Sequence, residues 1–285
     1  MKLFHFQTNQ IQLFKCLVES LKEIMIETNL ELSSQHIKIS KINALNRICC
    51  VVQLNGTELN QNGNSYECQY PEDKPLIVGI NLLHISKILR NIGTDNILHL
   101  EVKESNKNVL CIQVEMTNRL IVSTYTINFI EVNVENLSFP DTAKYEFDKT
   151  VEIEAKYFQK QIKELNNLDS EYVEIIVCDN QMIIQGSGGF ITKSTQIYMP
   201  ENEINPSSNK TKYLRTIELF SHSNQLFQGK YFTKDLLCIS KFTNLSPTFI
   251  LKLKNDIPLL LMVNIESFGK VTLIISSSGI INWLC

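Results

Sequence analysis

Several things are missing from this chain, and each absence closes off a class of function. Its eight cysteines form no C-x-x-C pair, so neither a zinc ribbon nor a dithiol redox motif is written here. Several cysteines sit in apolar runs, where a free thiol behaves as a small hydrophobe, and the chain reads as one folded in a reducing interior. No apolar stretch is long enough to cross a bilayer. The five histidines His5, His36, His84, His99 and His222 are scattered, without metal-ligand spacing to another His, Cys or carboxylate pair. No Ser, His or Asp motif of nucleophilic catalysis is present. The expectation is therefore a protein without an enzymatic centre, cofactor or metal. Glycine is sparse, and the one cluster, Gly186-Ser187-Gly188-Gly189, runs into a strand rather than a helix. A phosphate-binding loop needs the helix, so a hairpin or bulge is the better reading. An excess of positive charge is also lacking. The formal net charge is −3, which argues against a generally basic nucleic-acid binder but leaves room for a local cationic surface.

What is present is a repeat. The 285 residues are 44% hydrophobic and 20% charged, enough for one large domain or two ordinary ones. Phe158, Ile162, Leu165 and Leu168 lie at offsets 0, 4, 7 and 10, the spacing of one buried helical stripe. Phe232, Leu236, Ile239 and Phe242 repeat those offsets. So do Phe14, Val18, Leu21 and Ile24, and the first three recur as Ile85, Leu89 and Ile92. The anchors Phe14, Ile85, Phe158 and Phe232 are 71, 73 and 74 residues apart. At about 100° per residue, Lys160 and Lys163 fall opposite the stripe, as do Lys87 with Arg90, and Lys234 with Lys241. In the first copy Lys15 and Lys22 lie at the stripe's edge, which predicts a helix rolled relative to the others.

Alternating apolar runs fill the spaces between these helices. The first helix is expected from a Thr8 or Asn9 cap to about Thr28, followed by strands at 37–39 and 48–54 and a polar loop at 55–65. The second is expected at 82–92, stopped by Gly93, and the fourth copy opens at Lys230. Asp179-Asn180 marks a hairpin turn, and 200–212 a polar loop. The acidic stretch 129–144, ending Leu137-Ser138-Phe139-Pro140, reads equally as an edge strand or a connector between halves. Each unit is a helix followed by antiparallel strands, an α+β class with helices on one side of the sheets. Four helices would thus share one cationic surface suited to a phosphate backbone. Lys and Arg without interleaved aromatics suggest backbone contact rather than base stacking. Leu237 and Cys238 interrupt the polar face of the fourth helix.

At this point the sequence resembles a known family, the DNA sliding clamps of the proliferating cell nuclear antigen type. Val78-Gly79-Ile80-Asn81-Leu82-Leu83-His84-Ile85-Ser86-Lys87-Ile88-Leu89-Arg90 resembles the family's strand-to-helix signature. The stretch from Tyr125 to Pro140 is similar to its interdomain connecting loop, Asp256-Ile257-Pro258-Leu259-Leu260 to its late Asp-x-Pro-Leu segment, and Ser187-Gly188 to the Ser-Gly after its central hairpin. The resemblance implies two similar clamp domains, 1–128 and 145–285, joined by a connecting loop at 129–144. It implies a homotrimeric ring around duplex DNA, opened by a clamp loader, that tethers DNA polymerase and other replication and repair proteins. The setting would be a nucleus, or a cytoplasmic viral factory if the source is a large DNA virus.

By position, the resemblance assigns DNA contact to Lys15, Lys22, Lys87, Arg90, Lys160, Lys163, Lys234 and Lys241. It assigns the pocket for partner peptides to Leu137, Phe139, Pro258, Val51 and Ile274. It assigns the subunit boundary to Ile121, Ser123 and Tyr125 on one strand and Thr192, Ser194 and Gln196 on another. Three departures stand out. Ser276-Ser277-Ser278-Gly279 replaces the family's Ala-Pro-basic tail, Pro71-Glu72-Asp73-Lys74-Pro75 replaces a basic approach to the second helix, and the lysine modified in some clamps aligns near Asp179 or Asn180. Clamp-fold alternatives are a checkpoint subunit or a monomeric viral processivity or transcription factor. An enzyme with a site assembled only in three dimensions is the alternative of another class.

Overall fold

The computed structural model describes residues 1–117, 120–131, 146–178, 181–198, 217–221 and 225–277. The chain divides into two compact units, Met1–Leu137 with Asn264–Thr272, and Ser138–Val263 with Leu273–Cys285.

The first unit runs β1 (Lys2–Thr8), α1 (Ile11–Leu21), β2 (Glu27–Leu32), β3 (His36–Ile42), β4 (Ile48–Asn55), β5 (Ser65–Cys68), β6 (Leu76–Asn81), α2 (Leu82–Arg90), β7 (Asn96–Lys103), β8 (Asn106–Met116) and β9 (Ile121–Asn128). Its strands hydrogen-bond in the orders β5-β1-β7-β8-β9 and β4-β3-β2-β6, all antiparallel in the pairs between them. The second unit runs β10 (Lys149–Glu154), α3 (Ala155–Asn167), β11 (Tyr172–Cys178), β12 (Gln181–Ser187), β13 (Thr192–Tyr198), β14 (Ile217–Ser221), β15 (Phe227–Phe232), α4 (Thr233–Ile239), a 3-10 turn at Ser240–Asn244, β16 (Thr248–Leu253), β17 (Leu259–Ile265) and β18 (Gly269–Ile275). Its orders are β14-β10-β16-β17-β18 and β13-β12-β11-β15. The two units therefore repeat one another strand for strand, with β9 in the place of β18 and β4 in the place of β13. The period read from the helix anchors is a period of the whole topology.

The apolar stripes form the core. Phe14, Val18 and Leu21 on α1, Ile85 and Leu89 on α2, Phe158, Ile162 and Leu165 on α3, and Leu236 and Ile239 on α4 are all buried. Phe158 meets the ring of Phe249 edge-on at 6.0 Å between centroids. Helices pair within each unit, α1 with α2 and α3 with α4. The Gln159 side chain ties the second pair, donating to the Ser240 carbonyl at 2.7 Å and to Thr243 Oγ1 at 3.2 Å.

Four expectations about local structure need correction. α1 ends at Leu21 rather than near Thr28, and Glu27–Leu32 is the strand β2, zipped between β3 and β6. Its cap is Gln10, which makes no side-chain cap; Thr8 instead accepts from the Gln10 N–H at 2.9 Å. Ser65, placed at the end of a polar loop, begins the strand β5, which pairs with the edge of β1. The fourth helix starts at Thr233, because Lys230, Tyr231 and Phe232 are still paired with β11, and it tightens to 3-10 geometry before Lys241. The Asp179-Asn180 turn and the 200–212 loop lie outside the described residues.

The glycine cluster has a steric explanation. A Cβ on Gly188 would sit 1.6 Å from the Leu168 carbonyl oxygen at the end of α3, and one on Gly186 would sit 2.7 Å from the Tyr172 carbonyl oxygen. The β12–β13 hairpin crosses the α3 C-terminus at backbone contact, and only a hydrogen fits between. It closes with Gly188 N–H donating to the Ile191 carbonyl at 2.9 Å.

Candidate functional site

The cations predicted to face DNA are not equivalent. In the first unit α1 and α2 lie side by side, and Glu19 of α1 sits at their seam. It accepts from Ser86 Oγ at 2.5 Å and from Arg90 Nε at 3.3 Å, and it pairs with Lys22 one turn on. Burial works to raise the Glu19 pKa, but the bonds from Lys22 and Ser86 prevail and hold it below the ordinary carboxylate value. The Lys22 side chain is only 10% exposed. Lys15 turns the same way and donates to the Ile92 carbonyl beyond α2. Lys15 and Lys22 thus join the two helices instead of reaching outward, which follows from their position at the stripe's edge. Lys87 and Arg90 are exposed. Asn81 holds α2 at its start, accepting from Leu83 N–H at 3.0 Å and His84 N–H at 3.4 Å.

In the second unit Lys156, Lys160 and Lys163 of α3 are exposed, as are Lys234 of α4 and Lys241 of the 3-10 turn. Here too one carboxylate stands among them. Glu164 lies 4.0 Å from Lys160 and is bonded by Lys193, which reaches across from β13. The hydrogen bond from Lys193 is the main cause of its depressed pKa. Lys193 also donates to Gln161 Oε1 at 2.6 Å, and Thr195 Oγ1 donates to the same oxygen at 3.0 Å. Leu237 and Cys238 are half-buried, so α4 has a narrower wet face than α3.

The second feature is a pair of open sheet edges. β9 ends the order β5-β1-β7-β8-β9, and β13 ends the order β13-β12-β11-β15. Their equivalents in the repeat differ in what borders them. Residues 264–272 belong to the first unit, where Asn55 N–H donates to the Phe268 carbonyl at 2.9 Å and Gly269 lies against the Gln53 backbone. β4 is thereby covered, while β13 is not. Leu120, Ile121, Val122 and Tyr125 are exposed on or beside β9, and Phe190, Ile191 and Tyr198 on or beside β13. Long uncovered edges with apolar side chains are what another strand would pair with.

The register sorts the residues named for this boundary. Ile121, Ser123 and Tyr125 stand opposite Met116, Val114 and Ile112, so they share the core-side face of their sheet. Thr192, Ser194 and Gln196 are exposed on the outer face of β13, and Gln196 accepts from the Tyr198 hydroxyl at 2.6 Å. The core-side set on β13 is Lys193, Thr195 and Ile197, which alternates with the expected one. The partner-peptide residues are less completely placed. Val51 is half-buried on β4 in the first unit, and Pro258 is half-buried just before β17 in the second. Ile274 is buried on β18 and offers almost no surface. Leu137 and Phe139, with most of the 129–144 connector, lie outside the described residues. Of that stretch, Ile130 N–H donates to the Gly79 carbonyl at 3.0 Å, at the edge of β6.

Among the described residues no group of three His, Cys, Asp or Glu side chains is placed to hold a metal, and no helix is long and apolar enough to cross a membrane. A cavity of about 320 Å³, lined in part by polar groups, lies by Tyr172, Glu174 and Lys230, where Glu174 accepts from Gln185 at 2.6 Å and Gln228 at 2.5 Å.

Comparison with known proteins agrees with this geometry. Residues 3–136 match the proliferating cell nuclear antigen N-terminal domain, and residues 139–277 match its C-terminal domain. A relative in Paramecium bursaria Chlorella virus 1, the "Probable DNA polymerase sliding clamp 1", is 20% identical over 274 residues, covering 96% of each chain. The crystal structure of the proliferating cellular nuclear antigen from Entamoeba histolytica superposes with a TM-score of 0.81 at 19% identity, covering 97% of this chain and 99% of that one.

Proposed function

This chain belongs to the proliferating cell nuclear antigen family, and we propose that it acts as a DNA sliding clamp and polymerase processivity factor, closing into a homotrimeric ring around duplex DNA. The observation that carries the reading is the mismatch between the two copies of the repeat. β4 is covered by the hairpin tip at 264–272, whereas β13 and β9 are open. β9 of one copy pairing with β13 of the next would give every boundary the same construction. Such a head-to-tail contact uses two different patches, and it generates a closed ring when the rotation per subunit divides a full turn. Lys193, Thr195 and Ile197 would then meet Ile121, Ser123 and Tyr125 on one face.

A ring cannot leave its duplex sideways, so phosphate contacts need only be weak and sequence-independent. Lys87, Arg90, Lys160, Lys163, Lys234 and Lys241 are exposed, and they are the cations proposed to make them. The chain performs no chemistry in this scheme. It tethers a DNA polymerase and other clamp-binding proteins, and a separate loader opens it, in a nucleus or a viral replication compartment. Val51 and Pro258, with Leu137 and Phe139 of the connector, are the proposed seat of partner peptides.

Light scattering coupled to gel filtration tests the ring. A mass near three times 32.8 kDa is expected. A monomer would overturn the homotrimer and favour a solitary processivity or transcription factor. A mass that rises only on adding a different clamp subunit would favour a checkpoint-type heterotrimer.

A further inference from the structure

Each unit places one carboxylate among its helix cations, and these two residues have no part in the function proposed so far. Glu19 binds Lys22, Arg90 and Ser86 across the α1–α2 seam. Glu164 binds Lys193 and stands 4.0 Å from Lys160 on α3. Neither side chain is buried for the sake of the core; Glu19 is 38% and Glu164 40% exposed. Both are partly open to solvent beside exposed cations of their own unit, Arg90 for Glu19 and Lys160 for Glu164. The first helix of each unit carries the carboxylate, at neighbouring rather than identical repeat positions: offset 5 from Phe14 for Glu19 and offset 6 from Phe158 for Glu164.

We propose that Glu19 and Glu164 are attenuators of DNA grip: each occupies one exposed cation, Arg90 or Lys160, that would otherwise reach phosphates, and so keeps the helix surface loose enough to slide. This rests on the reading that the helices face DNA. An anion beside a cationic surface acts in two ways. It repels the phosphate backbone directly, and it holds Arg90 and Lys160 in intramolecular pairs that must break before they can touch DNA. Since each phosphate contact adds about 0.9 to the slope of log affinity against log salt, the slope counts the cations in use.

The test is a salt titration of binding to a fluorescently labelled duplex, with the full chain, from about 50 to 200 mM. Glu19→Gln and Glu164→Gln should each bind more tightly. Each should lose about 3.5-fold more affinity than the parent across that window for every contact released. Ser86→Ala removes a hydrogen bond to Glu19 without changing charge, and should keep the parental slope. The paired change Lys87→Ala with Lys163→Ala, at two exposed cations, should weaken binding and flatten the slope.

If the glutamine variants bind and titrate like the parent while the lysine pair weakens binding, the attenuator is wrong and the DNA-facing helices stand. If the lysine pair also has no effect, the helices do not face DNA, and the attenuator falls with that reading. A steepened slope in Ser86→Ala would assign the effect to helix packing and overturn the charge argument. Should Glu19→Gln unfold the seam, Glu164→Gln, on the outer face of α3 in the other unit, carries the test by itself.

Discussion

Replacing Gly188 by Ala should damage the second unit severely, although the change adds a single methyl group and the glycine has an ordinary backbone angle. The added Cβ would stand 1.6 Å from the Leu168 carbonyl oxygen and 2.8 Å from its carbon. An unstrained contact between such atoms needs more than 3 Å, so the hairpin and the α3 terminus must part by well over 1 Å. Both surfaces are backbone, and no rotamer change relieves the clash. Overpacking of this kind costs about 1–3 kcal/mol, and more where backbone must move. A loss of about 3 kcal/mol is expected here. With a urea slope of about 1–3 kcal/mol/M, the midpoint of the C-terminal transition should fall by 1 M or more. Gly189→Ala is the internal control: nothing lies within 4 Å of its added Cβ. It should be neutral or slightly stabilising, by up to about 1 kcal/mol, through the unfolded chain. Both variants are to be compared at one chain concentration, since assembly contributes to apparent stability. Gly188→Ala unfolding within about 0.5 kcal/mol of the parent would refute the claim that close backbone approach is why glycine is there.

Three further outcomes follow from other parts of the structure. Ile121→Asp places a charge on the core-side face of the open β9 edge and should shift the purified chain from ring to monomer in sedimentation; an unchanged mass would remove β9 from the interface. Phe158→Ala empties a fully buried ring site against Phe249 and should cost about 3–5 kcal/mol, read as a lower thermal midpoint of the second unit. The pKa of His5 is depressed below its usual 6.5 by burial first and Lys2 second, so the unfolded chain takes up the proton more readily. Stability should therefore be fully present above pH 6.5 and fall as the pH drops through and below that value, and His5→Gln should flatten this part of the profile.

Much of this architecture was legible because helices announce themselves by spacing. The stripes from Phe14, Ile85, Phe158 and Phe232 are one-dimensional patterns, and burial follows them closely. The period carried further, since it extends to every strand. What escaped was what depends on neighbours. Glu27–Leu32 carries Glu, Asn and Thr and reads weakly as a strand; β3 and β6 make it one. Ile24, Met25 and Ile26 prolong the helical apolar pattern beyond the last real turn. The charged face shows the same limit. Lys22 and Lys160 pair locally with Glu19 and Glu164, but those carboxylates are themselves held by Ser86, Arg90 and Lys193, which lie 67, 71 and 29 residues from them in sequence. Which face each residue of β13 takes was not legible, because its outward Thr192, Ser194 and Gln196 and its inward Lys193 and Thr195 are all polar. Alternation has no contrast there for a reader to use.

Phe268 is fully buried, with its ring edge-on to Phe6 at 6.0 Å and to Phe14 at 6.5 Å. The strand β1 and helix α1 thus await a residue that the ribosome adds long after them. At roughly 5–20 residues per second, the N-terminal half spends several seconds or more outside the tunnel with an unfilled aromatic socket and a bare strand beside it. Nascent chains cut short before this residue should be the sticky ones, and a holdase that binds the early half would be released by the arrival of a single phenylalanine.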